Sequence, residues 1–446
     1  MRKIYSGRRG TASITNPFQM TINTSNTGGN GSAADTFVIP TSASGVPSPG
    51  LNGAFYGMQV DWGDGNTTYI TRTNYTTARI HQYSVAGIYT IKIYAHMIRG
   101  FSFGLPTGTL PVGQSDCLKL LSVEKWGNIE PYGSMFRGCE NLTEITAPGQ
   151  PNLVPAAVYP HNGGPEYMFF LCQNLTRINN INNWNLTGVT ETNNMFYLCN
   201  KLEWADSAGT VPLDFSSWDV SSVTDMHSMF FGVILADFLC FKVTSTTTNT
   251  SAMFLGCALW NNGPNTPGFE LSTWQMQNVT NMSSMFSMTS AGPSVFNRPI
   301  GSWNTSSVTD MQGMFGYNTA FNQPIGTWDV SNVENMENMF IGSVTNGILP
   351  FDQDISAWNV SAWNSSVVGF NNGLSNFNNP GEGFKLSTVN YDALLIAWDN
   401  YGFFSMNNGD VRFAQSQYSA APSAAATARA SLISKGWTTL SDGGPI

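Results

Sequence analysis

The dipeptide Met-Phe occurs eight times, with its Met at Met135, Met168, Met195, Met229, Met253, Met285, Met314 and Met339, at intervals of 24 to 34 residues. Both residue types are uncommon, so a regular recurrence marks an internal repeat, and a repeat restricts the chain to architectures that stack one small unit on the next. Five of the pairs follow a Trp by 11 residues: Trp184, Trp218, Trp274, Trp303 and Trp328. A Val stands five residues after each of these (Val189, Val223, Val279, Val308, Val333), and a Met eight after most of them (Met226, Met282, Met311, Met336). Trp358 opens a further unit that decays, with Gly369-Phe370 where Met-Phe would stand.

The spacing M-x-x-M-F places apolar groups at i, i+3 and i+4, which predicts one face of a short helix. Thr224-Asp225, Thr280-Asn281 and Thr309-Asp310 precede it and are residue types that cap helix N-termini. Upstream, Phe296-NRPIGSW, Phe321-NQPIGTW and Phe351-DQDISAW are expected to be extended, with a short strand at the Ile–Trp–Val segment. A unit of one strand and one helical turn cannot bury its apolar face alone, so the units are expected to stack as a solenoid. The Trp residues, with Phe196, Phe230, Phe286, Phe315 and Phe340, then form its interior. Of six Cys, four (Cys139, Cys172, Cys199 and Cys257) fall four residues after the Met of the pair. No C-x-x-C pair occurs, so a ladder of buried, unpaired thiols is expected rather than a metal site or disulfides.

Composition narrows the function classes. Charged residues are 11% of the chain against a typical ~25%. Aromatics are 13%, which speaks for a folded, turn-rich chain rather than a disordered one. The net charge is −9 and no basic stripe appears, so nucleic acid is not an expected partner. Arg2, Lys3, Arg8 and Arg9 cluster at the N-terminus, either as a solvated tail or as an arm that docks into a partner. The most apolar run, 229–241, is too short to span a bilayer and contains Asp237, so no membrane insertion is expected. No secretory leader follows the basic start. An exposed protein without a leader fits a phage virion component released by lysis.

The pattern W-[DN]-V-S-x-V-T-x-M-x-x-M-F with F-N-x-x-I-x-x-W resembles the BspA-like leucine-rich repeat surface proteins, over residues 118–446. The Met-Phe-x-x-Cys-x-x-Leu half is similar to the treponemal type of leucine-rich repeat, and the stretch from Leu386-STVNYDALLIAWD to the end resembles that family's end piece. The early units are irregular: the one at Met168 lacks its Trp, the one at Met253 has only Phe241 near the Trp slot, and Thr192 replaces the repeat Met. At the other end, Trp62-Gly63-Asp64-Gly65 followed by His81-QYSVAGIYT resembles the PKD-type β-sandwich, the first mark being shortened. Strand-like alternation agrees there over 18–23, 36–39, 56–62, 67–71 and 88–94, with a tight turn at Asp64-Gly65. The resemblances imply a mainly β chain with short helices: an arm (1–15), a PKD-like sandwich (16–99), a junction (100–117), a leucine-rich-repeat-like solenoid (118–382) and an α/β cap (383–446).

Little catalytic chemistry is legible. The four His residues are scattered, and no G-x-S-x-G, H-E-x-x-H or P-loop pattern occurs. Asp352 and Asp354 are a carboxylate pair in an ordinary repeat slot. Asp61 and Asp64 are weak calcium candidates whose plainer role is turn stabilisation. The Trp series could stack on sugars or form the core; its Val, Met and Phe partners favour the core. Trp to Met-Phe is constant, whereas Met-Phe to the next Trp varies, so insertions gather in one half of the unit. That rim is the expected binding edge, with Tyr159, His161, Trp260, Asn261, Asn262 and Phe269 as candidate contacts. No enzyme and no cofactor are expected. The expected role is adhesion, in a virion fibre, tail or decoration component that binds a protein or glycan on a host or neighbouring surface. The N-terminal region would meet other virion proteins, and a homo-oligomer is compatible with it. The alternatives are a bacterial cell-surface adhesin and a purely structural virion protein.

Overall fold

The computed structural model describes residues 16–27, 31–40, 58–70, 74–95, 98–104, 116–131, 133–151, 153, 164–202, 215, 217–233, 242–257, 271–288, 296–342, 348–362, 383–402, 410–413, 416–437 and 439–446. The chain is mainly β with short helices. In order, the elements are β1 (Phe18–Asn23), β2 (Thr36–Val38), β3 (Met58–Asp61), β4 (Thr67–Ile70), α1 (Tyr75–Ala78), β5 (Ile80–Gln82), β6 (Ile88–Tyr94), β7 (Ile98–Phe101), β8 (Leu120–Trp126), β9 (Ile129–Pro131), β10 (Glu144–Ile145), β11 (Arg177–Ile178), β12 (Ile348–Leu349), β13 (Gly383–Phe384), α2 (Thr388–Asn400), β14 (Asp410–Arg412), α3 (Ala424–Ser434) and β15 (Thr439–Ser441).

The strands expected near the N-terminus form where alternation placed them. In β6, Ile91 and Ile93 are buried while Ile88 is exposed. One seven-stranded sheet runs β11-β10-β8-β1-β6-β3-β4. It passes through the junction expected over 100–117: β1 pairs antiparallel with both β6 and β8, and β10 and β11 add to β8 in parallel. That boundary divides sequence motifs but not the sheet, and among the described residues nearly all the buried apolar side chains from Phe18 to Trp437 belong to one core cluster.

A buried ion pair pins the same seam. Lys119 and Asp116, both 1% exposed at the side chain, are 3.4 Å apart. The Lys119 ammonium donates to the carbonyls of Ser32, Ala33 and Thr36 and to the Ser32 hydroxyl at 2.6–3.1 Å. Asp116 accepts from the Ser32 and Val38 amides.

Beyond the sheet, repeat units lie side by side in sequence order. Parallel bridges link Glu191 to Asp225, then Asn249, Asn281, Asp310 and Asn335. The short helix expected at M-x-x-M-F is not formed. Its backbone amides alternate in destination: Met226, Ser228, Phe230 and Gly232 donate to Asn249, Ser251, Met253 and Leu255 of the next unit, while Met229, Phe231 and Val233 close i→i−3 turns on Met226, Ser228 and Phe230. A helix would spend all these donors internally. The alternation goes with a left-handed residue before each Met from Met168 onward: Tyr167, Asn194, Ser228, Ala252, Ser284 and Asn338 have φ of 50° to 59°, and Gly313 has 60°. The expected caps act otherwise as well. The side-chain oxygens of Asp225, Asn249, Asn281, Asp310 and Asn335 accept the amide two residues on, which is an Asx turn.

The strand expected at Ile–Trp–Val is also replaced by turns. Trp303, Trp328 and Trp358 donate their amides to Ile300, Ile325 and Ile355, and Val223, Val308 and Val333 close the next turn. Asp219, Asn304, Asp329 and Asn359, each directly after its Trp, complete this second turn by accepting the amides of Ser221, Ser306, Ser331 and Ser361.

The interior is columnar. Phe103, Phe136, Phe169, Phe196, Phe230, Phe254, Phe286, Phe315 and Phe340 stack in one row with centroids 5.5–6.4 Å apart. Phe103 belongs to this row although its unit lacks the Met; its amide donates to the Met135 carbonyl as every later Phe does to the next Met. Trp274, Trp303 and Trp328 stack alongside at 5.8 and 6.2 Å. The indole N–H of Trp218, Trp303, Trp328 and Trp358 donates to the carbonyl three residues before the preceding repeat Trp or Trp-slot residue: Ile181, Leu271, Ile300 and Ile325. The thiols of Cys172, Cys199 and Cys257 donate to the carbonyls of Phe136, Phe169 and Phe230 one unit back.

The C-terminal end continues the unit's own side-chain pattern. Asn297 Oδ1 accepts from Asn322 and Gln323, Asn322 Oδ1 from Asp352 and Gln353, and Asp352 Oδ1 from Ser387 and Asn390 at the start of α2. Helices α2 and α3 are capped by Ser387 and Ser423. Arg429, Asp442 and Tyr391 tie α3, the tail and α2 together.

Two outcomes follow. Trp328→Phe removes the indole donor to the Ile300 carbonyl, which keeps the Trp303 amide, and leaves part of the indole volume unfilled, so stability should fall by about 1–3 kcal/mol in denaturant titration. Lys119→Met strands a buried carboxylate and should cost about 3–5 kcal/mol in the same measurement, more than any exposed Lys change.

Candidate functional site

The residues expected to line the interior do so. Trp184, Trp218, Trp274, Trp303, Trp328 and Trp358 are at most 4% exposed, so their faces are closed to a sugar ligand. Phe196, Phe230, Phe286, Phe315 and Phe340 are equally buried, and so are Cys139, Cys172, Cys199 and Cys257. Burial pushes the thiol pKa values up, which keeps these groups in the unreactive thiol form.

Asp61 and Asp64 are committed to the β3–β4 turn. Asp61 accepts from the Gly63 amide, and Asp64 from Asn66 and from His81 Nε2 at 2.8 Å. His81 stacks on Trp62 at 4.6 Å. Asp352 is taken up by Ser387 and Asn390, and Asp354 by the Ser356 amide. Among the described residues no group of three His, Cys, Asp or Glu side chains could hold a metal ion. The candidate rim residues Tyr159, His161, Trp260, Asn261, Asn262 and Phe269 lie outside the described residues.

The described surface shows one departure from the repeat that the motif reading overlooked, on the units around Met168, Met195 and Met229. Two residues after the Met, where later units carry Leu255, Ser287, Gly316 and Ile341, stand Phe170, Tyr197 and Phe231. These half-buried rings stack at 4.6 and 4.3 Å, and the Arg137 guanidinium sits 4.9 Å from the Phe170 ring and 5.2 Å from that of Tyr167.

On the other flank of the same turns, Glu166, Glu191, Asp225, His227 and Asn194 come together. His227 Nδ1 is 2.9 Å from Asp225 Oδ1, and its Nε2 is 2.9 Å from Asn194 Nδ2. With the Asn194 amide nitrogen as donor, Nε2 is the accepting ring nitrogen and Nδ1 faces the Asp225 carboxylate. Glu166 is 7% exposed. Burial, its hydrogen bond with Glu191 and the negative charge of Glu191 and Asp225 raise its pKa to about 8. At neutral pH it keeps its proton and donates to Glu191. The aromatic row was legible as a column of the repeat alignment. The carboxyl pair was not, because its members are 25 residues apart and meet only through stacking.

Residues 166–267 and 248–384 match a family model described as Mycoplasma protein of unknown function, DUF285. The match covers just under half of the chain, includes every unit of the candidate surface except Arg137, and is compatible with a BspA-like surface protein. No curated protein and no solved structure matches the chain. Among the described residues no helix is long and apolar enough to cross a membrane.

The Glu166 proton makes stability depend on pH with a definite sign. Its folded pKa of about 8 lies above the ordinary 4.5. Its contribution is therefore full below the unfolded value and is lost as pH rises through about 8. The denaturant midpoint should fall from weakly acid to alkaline pH, and Glu166→Gln should flatten that fall; equal slopes in both proteins would show that the proton is not held there.

Proposed function

We propose that the chain is a non-enzymatic recognition protein of the BspA-like kind, displayed on a phage particle. In this reading the stacked units form a leucine-rich-repeat-like solenoid, and residues 16–99 are a PKD-like sandwich. That sandwich, with the basic arm, meets other virion proteins. The solenoid presents its insertion rim and the flanks of its Met-Phe turns to a protein or glycan on a host surface.

The observation that carries the reading is the division of labour within the unit. Trp, Val, Met, Phe and Cys at the fixed offsets are spent on the interior, and the positions that change from unit to unit are on the outside or in the inserted segments. A scaffold with a constant interior and a variable exterior suits recognition. The DUF285 match and the low charge of the chain support a surface role.

Two measurements test it. Antibody labelling should place the chain on purified particles; labelling confined to the bacterial envelope would favour the cell-surface adhesin instead. Labelled full-length protein should bind host cells, and replacing residues 260–269 with a short Gly/Ser loop should weaken that binding. Particle labelling without any cell binding would leave the purely structural virion protein as the reading.

A further inference from the structure

In the later units each column flanking the Met-Phe turn has one acid among neutral residues: Asn249, Asn281, Asp310 and Asn335 in one, Ser251, Ser283, Gln312 and Glu337 in the other. Three successive units replace them with Glu166, Glu191, Asn193, Asp225 and His227. The backbone register fixes their order. The Tyr167 amide donates to the Asn193 carbonyl at 3.0 Å and the Asn194 amide to the His227 carbonyl at 2.9 Å, so Asn193 occupies its column between Glu166 and His227.

Asn193 is 6% exposed, and its Oδ1 accepts no hydrogen bond. A buried amide oxygen without a donor is costly to keep, and a bound donor would satisfy it. The adjacent column carries the carboxyl groups of Glu191 and Asp225, and Asp225, 30% exposed, already accepts from the amide and Nδ1 of the 31% exposed His227. Arg137, the neighbouring cation, lies over the Tyr167 and Phe170 rings.

These acceptors do not gather as a metal requires. They suit a wider cation that offers several donors in one plane, which is the geometry of a guanidinium.

We propose that Glu191, Asn193 and Asp225, with Glu166 and His227 beside them, form a binding site for the guanidinium of an arginine side chain on a partner polypeptide. Asn193 Oδ1 is the deep acceptor, and Glu191 and Asp225 supply the charge. Arrival of the cation favours ionised Glu166, which releases its proton to solvent, so binding tightens as pH rises towards about 8. The proposal rests on the recognition reading for the partner being a macromolecule, and on the side-chain chemistry alone for the ligand.

The probe is N-acetyl-arginine methylamide, titrated against the full chain while the imidazole proton resonances are followed by NMR. With four His in the chain, comparison with His227→Gln identifies the reporting signal. A saturable shift is expected, weakened roughly tenfold in Glu191→Gln/Asp225→Asn and several-fold in Asn193→Ala, a milder change that keeps both carboxylates. Calorimetry in two buffers of different ionisation enthalpy should show proton release, absent in Glu166→Gln.

No shift up to about 50 mM probe, where even very weak binding would register, would overturn the site. An equal response to the uncharged citrulline analogue, or to the lysine analogue, would overturn the guanidinium assignment. Cell binding without any response to the probe would sink this site and leave the recognition reading standing; a response to the probe without cell binding would do the reverse.

Discussion

Every second backbone amide of the Met-Phe turn is donated to the neighbouring unit, and the rest of the architecture depends on that alternation. An isolated unit would leave Ser228, Phe230 and Gly232 without acceptors, because Ser251, Met253 and Leu255 belong to the next unit. Buried donors cannot be left open. The unit is therefore unstable alone and satisfied only in a stack, which makes stability a sum of neighbour terms. The local cost is a left-handed residue in each turn, among them Ala252 at φ 50°, a conformation that is unfavourable for a residue with a Cβ. Side chains reinforce the same contacts. Phe rings stack along the column, Trp indoles reach back one unit, and thiols add a second donor to Phe carbonyls that already close i→i−3 turns.

A stack built this way must be closed at both ends, and the chain solves the two ends differently. At the start, β8, β10 and β11 hold two to seven residues of true strand, so the first units join a conventional sheet whose other members come from β1, β6, β3 and β4. At the finish, the Asn297–Asn322–Asp352 series passes directly into the first turn of α2. The cap imitates the next unit at its point of contact and only then departs from it. Asp352, where earlier units have Asn, accepts through Oδ1 from the Ser387 amide and the Asn390 side chain, the same two-donor pattern that Asn297 and Asn322 show.

The columns were legible in the sequence because a residue type at a fixed offset means a fixed place in the stack; Trp303, Phe315 and Cys199 needed no further information. The backbone was not. Apolar groups at i, i+3 and i+4 satisfy a helix, but consecutive i→i−3 turns present nearly the same face, and Asp310 before such a run serves an Asx turn as readily as a helix cap. What decides is where the amides go, and that depends on a neighbour 24 to 34 residues away. Phe103 was missed for a related reason: its unit has lost the Met, and its membership shows only in the stacking on Phe136 and the hydrogen bond to Met135. On the surface, Phe170, Tyr197 and Phe231 form a readable column, whereas Glu166 and Glu191 occupy different offsets and converge only across the stack.

Stacking also explains why chemistry can be concentrated here without disturbing the fold. Neighbouring strands lie about 4.8 Å apart, so one outward substitution per unit puts side chains from distant parts of the sequence within contact distance. Asn and Ser columns are neutral defaults that close Asx turns and tolerate replacement. Asp225 still closes its turn through the His227 amide while presenting its carboxylate to the His227 ring. The interior need not change for this to happen, since Phe196 and Phe230 stack at 5.7 Å in the same units that carry the acidic cluster. Fold and surface chemistry are thus nearly independent in this architecture, since Glu191, Asp225 and Asp310 stand in the same column as Asn249, Asn281 and Asn335.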